Sequence, residues 1–286
     1  MIDRPGIYKW IRLEKYHGGP GVSNSILTKI GTRSPAHVKY MLENPSEPTD
    51  PQRVGEAFHT LALEPEFFRD RFHIFEGDLR SKAQKEKWQE MEDKGLIVIR
   101  EAQLENVEGM VKAVREHEDA EALLDRMGAV YENSHYWIDK RTGVLCKVRP
   151  DIKIKRSDMR LVLDLKSCRG GANRDAKTWA RQIADYRYHV QAAFYLEGVS
   201  ISENLRYVDF GWITVESEAP YGVNVFMADE NMIEEGRILY RKNLNYYVDC
   251  ATQGIWPGYE EGVKTVSLPE WARSGQIHYK GDAEDE

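Results

Sequence analysis

Near residue 130 the hydrophobic spacing of this chain changes from helical to extended, and that change limits the folds open to it. Upstream, Leu104, Val107, Met110, Val111 and Val114 recur at three- and four-residue intervals, which predicts a helical stretch over 101–127, in one piece or two. Downstream, residues 131–138, 144–154 and 161–166 read as three short strands, with Arg141-Thr142-Gly143 closing the first hairpin. In the third strand, alternation puts Leu161, Leu163 and Leu165 on one face and Val162, Asp164 and Lys166 on the other. Gly170-Gly171 and Asn173 then interrupt the chain before a helix whose stripe is Trp179, Ile183, Tyr186, Val190 and Ala193. Strands over 206–215 and 222–227 and a helix over 230–250 follow. Earlier, Ser34-Pro35 reads as a helix start, and Phe58, Leu61 and Ala62 share a helical face with Val54 over 55–63. The order helix, three strands, helix, two strands, helix predicts an α/β (α+β) fold in which helices flank a mixed sheet.

The 286 residues, 41% of them hydrophobic, suffice for a sizeable core. Gly18-Gly19-Pro20-Gly21 reads as a flexible hinge ending an N-terminal arm over 1–22. Nothing between about 23 and 258 looks like a linker, so one domain is expected over 23–260, with an extension over 261–286. The acidic end of that extension, GDAEDE, is expected to be disordered. Three scattered cysteines exclude a four-cysteine metal cage and fit a reducing cytosolic compartment. No apolar run is long enough to span a membrane, and the first residues lack a signal-peptide core. The net charge of −7 argues against a nucleic-acid partner, but residues 140–189 hold 14 Lys and Arg against 5 Asp and Glu. That surplus can build a basic face on an acidic protein, as a polyanion binder needs; a solvated, charge-mixed surface fits the same count.

Walker A, G-x-S-x-G, H-E-x-x-H and strand-following G-x-G-x-x-G signatures are absent, and the eight histidines have no cage spacing. One constellation remains. Pro150-Asp151 ends the second strand, and Asp164-Leu165-Lys166 lies in the third. A hairpin brings Asp151 beside Asp164, and the period of two puts Lys166 on the face of Asp164. Adjacent carboxylates repel unless a cation lies between them, and hard oxygen ligands suit Mg²⁺ or Mn²⁺. A lysine two residues on could hold or deprotonate an attacking water and stabilise charge at phosphorus. The bare pattern also describes an ordinary cross-strand pair. Cys168 reads as a packing residue, and Lys82, Lys85 and Lys87 as a solvated helix face.

These residues resemble the PD-(D/E)XK nuclease superfamily, with its restriction-endonuclease-like core of helix, three strands, helix and strand. Gly55-Glu56-Ala57-Phe58-His59-Thr60, Val148-Arg149-Pro150-Asp151, Asp164-Leu165-Lys166-Ser167 and Gln191-Ala192-Ala193-Phe194-Tyr195 together resemble the RecE (exonuclease VIII) type of phage and prophage exonucleases. The resemblance implies Asp151 and Asp164 as metal ligands, with the Leu165 carbonyl completing the shell, and Lys166 as catalytic. It implies His59 and Glu132 in the same site, Glu132 on the first strand as a support to the metal. Gln191 and Tyr195, four apart on one helical face, would position DNA, and Arg187, a turn earlier, would contact a phosphate. It further implies a Mg²⁺-dependent 5′-to-3′ double-strand DNA exonuclease, with Mn²⁺ able to substitute, leaving 3′ single-stranded overhangs for recombination in a bacterial host cell. Double-stranded DNA ends, a single-strand annealing protein and a homo-oligomeric ring, a tetramer first, are the implied partners. The weighed alternatives are a structure-specific or restriction-type endonuclease on this fold, and a DNA-binding protein without catalysis.

Overall fold

A computed structural model describes residues 2–269. The chain begins with strand β1 (Gly6–Tyr8) and helix α1 (Leu13–Gly18), then α2 (Asn24–Thr32) and α3 (Pro35–Glu43), the last starting as read with Ser34 at its cap. Helix α4 (Asp50–Leu63) begins five residues before the start expected at 55, because the Thr49 N–H donates to Gln52 Oε1 (2.8 Å) and closes a capping box. After it come α5 (Phe68–Arg71), β2 (Phe72–Phe75), α6 (Lys82–Asp93) and β3 (Ile97–Arg100). The expected helical stretch is two helices, α7 (Glu101–Glu116) and α8 (Glu118–Leu124), parted at His117. The C-terminal half holds β4 (Ala129–Tyr131), β5 (Ser134–Ile138), β6 (Leu145–Val148), β7 (Ile152–Lys155) and β8 (Arg160–Cys168). Then follow α9 (Ala176–Tyr186), α10 (Tyr188–Glu203), β9 (Asp209–Glu216), β10 (Val223–Met227) and α11 (Glu230–Gln253).

The sheet is mixed, in the order β10-β9-β8-β7-β4, with β8 and β9 parallel and the other pairs antiparallel. Its alternation sorts two apolar layers. Leu161, Leu163 and Leu165 pack with Phe58, Val107, Met110 and Leu124 under α4, α7 and α8. Val162, Phe210 and Trp212 pack with Leu27, Trp179, Phe194 and Tyr240 under α2, α9, α10 and α11. Helices therefore cover both faces of the sheet, as the element order predicts.

Three local readings are corrected. The strands expected over 131–138 and 144–154 are each two strands. Glu132 takes a left-handed φ of 51° and Pro150 has no N–H to give a ladder, so the hairpin bends at both places. Below the bend, β4 and β7 belong to the five-stranded sheet; above it, β5 and β6 join β1 in a second, antiparallel sheet. Glu132 thus stands at a bend and not on a strand. The single stripe over 179–193 is two helices, because Arg187 adopts φ 60°, ψ 34° and turns the chain. Tyr186 leaves the buried stripe and is 60% exposed. The glycine run is no free hinge: the carbonyls of Tyr16 and Gly19 accept hydrogen bonds from the buried Lys147 Nζ (2.5 and 2.6 Å), and β1 pairs with β5.

Cys168 packs against an apolar layer, and Lys82, Lys85 and Lys87 are exposed on α6, both as read. Of the basic run, Lys147, Arg149 and Lys153 are interior, whereas Arg169, Arg174, Lys177 and Arg181 are exposed. No helix among the described residues is long and apolar enough to cross a membrane. The acidic end lies outside the described residues.

Candidate active site

Strand β8 supplies the centre. The register Ile152↔Leu163 makes Asp151 and Asp164 neighbours across the β7–β8 ladder, as the hairpin reading requires. Asp164 is buried to 1% exposure, and both of its oxygens are engaged: Oδ2 with Lys166 Nζ (2.6 Å) and Oδ1 as acceptor from Gln191 Nε2 (2.6 Å). Gln191 comes from α10, so a helix side chain fixes the orientation of a strand carboxylate. Asp151 Oδ2 accepts the Leu165 N–H (2.7 Å). A residue's N–H and C=O leave an extended strand on the same side, so the Leu165 carbonyl also faces Asp151.

The bent hairpin and α4 bring the remaining groups. His59 Nδ1 lies 3.5 Å from Asp151 Oδ2 and 3.8 Å from Glu132 Oε1. One ligand atom each from His59, Glu132 and Asp151 fall within 4.8 Å of one another. Arg149 Nε donates to Glu132 Oε2 (2.5 Å), and its NH1 donates to the Ile11 carbonyl (2.6 Å). Arg149 is thus an organising residue that the sequence marked only by its place beside Pro150-Asp151. The Glu132 N–H donates to the Asp151 carbonyl (3.1 Å), so the two acids are tied together across the two arms of the bent hairpin.

The charges are strongly coupled. Burial pushes the Asp151 carboxyl up to about 7, aided by repulsion from Asp164 and Glu132 and opposed by His59. Burial disfavours the His59 imidazolium, but Asp151 and Glu132 outweigh it and raise the group to about 9. Lys166 is likewise desolvated, yet Asp164 and Asp151 hold it protonated, well above the usual lysine range. Glu132 is held below the usual carboxylate range against its burial by His59 and Arg149. Carboxylates that repel each other beside an imidazole offer the oxygen and nitrogen donors a divalent cation takes, so this set fits one. It meets at His59, Glu132 and Asp151, while Asp164 is turned toward Lys166 and Gln191.

Tyr195 shares a cleft of about 560 Å³ with Lys166 and Gln191, and burial pushes its phenol well above the usual range. Arg187 is not a turn earlier on that helical face. It is exposed at the α9–α10 turn, in the left-handed conformation.

A family model described as a PDDEXK-like domain of unknown function (DUF3799) matches residues 23–269. Among solved structures, a candidate exonuclease from Eubacterium rectale superposes with a TM-score of 0.61 at 12% identity, over 98% of this chain and 97% of its own. A protein named SSO0001 aligns over 83% of this chain and 79% of its own at 11% identity, with a TM-score of 0.36. No curated protein matches the sequence at a significant level.

Proposed function

The chain belongs to the PDDEXK-like family DUF3799, and from that premise we propose that it is a Mg²⁺-dependent double-strand DNA exonuclease of the RecE type, degrading one strand from its 5′ end. The observation that carries the reading is the convergence of His59 from α4, Glu132 and Asp151 from the bent hairpin, and Asp164 and Lys166 from β8 in one cluster, with Lys166 also lining the cleft. His59, Glu132 and Asp151 would hold the cation, with the Leu165 carbonyl beside them and Asp164 completing the acidic set. A bound divalent cation supplies an activated water and neutralises charge on the phosphate.

The chain's own groups do the rest. Lys166, kept protonated by its two aspartates, places a fixed positive charge beside the scissile phosphate and steadies charge developing at phosphorus. Its pairing makes it a charge stabiliser and hydrogen-bond donor more than a base. Gln191 holds Asp164, and Arg149 holds Glu132, so both acids are oriented before substrate arrives. Tyr195 lies beside Gln191 in the cleft and would position the strand. Arg187, exposed at the turn, would reach a backbone phosphate.

In this reading the active species is a homo-oligomeric ring around the duplex, a tetramer first, and the 3′ overhang passes to a single-strand annealing protein. Linear duplex labelled at its 5′ or 3′ ends, incubated with Mg²⁺ or with EDTA, is the test. Loss of the 5′ label ahead of the 3′ label, only with Mg²⁺, is expected, together with an intact closed circle. Cutting of the circle would make the enzyme an endonuclease.

A further inference from the structure

The cleft that holds Lys166, Gln191 and Tyr195 continues away from the acids between α2 and the α9–α10 turn. Its far wall has a feature that packing does not explain. Tyr186 and Tyr188 stack with ring centroids 5.5 Å apart and planes 20° apart. Two residues apart in an unbroken helix, their side chains would point about 200° away from each other. They lie side by side because Arg187 between them is left-handed, at φ 60°, a conformation that costs a residue other than glycine. The inner ring, Tyr188, packs on Trp179 (5.8 Å) and carries Lys166 Nζ 5.0 Å from its centroid. The outer ring, Tyr186, is 60% exposed. A ladder therefore runs from the lysine through a half-buried tyrosine to an open aromatic face.

The opposite wall is the polar side of α2. Lys29 and Arg33, one turn apart, line the cleft with the hydroxyl of Thr28, and neither cation is in a salt bridge among the described residues. An aromatic face opposite spaced cations is the arrangement that holds a single polynucleotide strand: bases stack on the ring, and phosphates lie along the charges. We propose that this cleft is the path of one nucleic-acid strand at the active site, with Tyr186 as the base-stacking platform and Lys29 and Arg33 as phosphate contacts. The proposal rests on the nuclease reading for the chemistry next to it, but the strand path is a separate property of the molecule.

Binding is measured on the full chain in EDTA, so that hydrolysis plays no part, by fluorescence anisotropy of a short labelled oligothymidylate. Tyr186→Ala should weaken binding roughly ten-fold, the scale of one lost base stack, and Tyr186→Trp should restore it. An abasic strand of equal length should bind weakly and be indifferent to Tyr186→Ala, which a merely structural role for the ring would not produce. Replacing Lys29 and Arg33 together by alanine should flatten the salt dependence by about 1.4 in slope, at about 0.7 per phosphate contact of a single strand. Oligouridylate and oligodeoxyuridylate, which differ only at the 2′ position, are run beside it: binding of either strand through Tyr186 supports the path, and the tighter of these two names its sugar. Equal binding of oligothymidylate by wild type and Tyr186→Ala, or of the abasic and normal strands, overturns the proposal. A chain that binds through Tyr186 yet hydrolyses no DNA with Mg²⁺ or Mn²⁺ sinks the nuclease reading and leaves the path standing. A chain that digests duplex while Tyr186→Ala binds normally sinks the path alone.

Discussion

Lys166 and Asp151 sit in one cluster but offer different chemistry, a fixed positive charge and a metal-binding oxygen, so their loss should be distinguishable. Lys166→Ala removes the charge beside the phosphate and leaves the acids and His59 in place. It should titrate Mn²⁺ almost as wild type does and digest duplex slower by roughly two orders of magnitude or more. Asp151→Asn removes a donor from the His59–Glu132–Asp151 set, so metal uptake and digestion should fall together; calorimetric titration beside a digestion assay reads both. A second prediction concerns His135, buried on β5 outside this cluster. Ser202 Oγ donates to the Gly198 carbonyl (2.8 Å), so it accepts from His135 Nδ1 (2.7 Å), and Nε2 has no hydrogen-bond partner among the described residues. Burial, with Lys153 nearby, lowers this imidazole to about 3. The folded group stays neutral while the unfolded chain takes up a proton below about 6.5, so its contribution is intact above 6.5 and drains as pH falls toward 3. His135→Gln should remove that part of the acid sensitivity, about 2 kcal/mol by pH 5, in urea melts at several pH values. Asp151, Asp164 and Lys166 were legible because two short motifs fall on adjacent strands whose period is plain. Arg149 and Lys147 were not, because their carbonyl partners, Ile11, Tyr16 and Gly19, lie more than a hundred residues away and nothing local marks them.

Strand β8 could be read residue by residue, since three leucines alternate with Val162, Asp164 and Lys166, and the two apolar layers divide as that alternation requires. The bends at Glu132 and Arg187 could not be read, because a left-handed residue other than glycine is imposed by tertiary contacts and leaves no mark in composition. Helix packing offers a sharper test of the elements, by one substitution made at two glycines. Gly236 on α11 lies so close to α10 that an added Cβ would stand 2.0 Å from the His189 carbonyl oxygen, which is backbone and cannot swing aside. Gly55 on α4 has no neighbouring atom of the described residues within 4 Å of the same position. Gly236→Ala should therefore destabilise the protein by about 2 kcal/mol or more as α10 and α11 are pushed apart. Gly55→Ala should stabilise it by up to about 1 kcal/mol through helix propensity alone. Thermal melts of the two variants should move in opposite directions, and a fall for both would contradict the free space described around Gly55.

Across the whole molecule the basic surplus between 140 and 189 divides into two populations that sequence cannot separate. Lys147, Arg149 and Lys153 face inward, while Arg169, Arg174, Lys177 and Arg181 remain on the surface before and along α9. If that surface tracks duplex phosphates, affinity in EDTA should fall steeply with salt. Replacing two of the four by alanine should lower the slope by about 1.8, at about 0.9 per phosphate contact, without changing Mn²⁺ uptake. An unchanged slope would turn these charges away from DNA. The inward population bears on how the protein can be cut. The family match begins at Ser23, which invites a fragment trimmed to that boundary. Such a fragment would lose the carbonyls of Ile11, Tyr16 and Gly19, and with them every hydrogen bond described here for the Lys147 ammonium and one of the two that hold the Arg149 guanidinium. Two interior cations would then face the solvent channel left by the missing arm, one of them the partner of Glu132. The stretch matched by homology and the stretch that satisfies these interior cations are therefore different lengths of this chain, and a fragment that keeps every one of those carbonyls has to begin at or before residue 11.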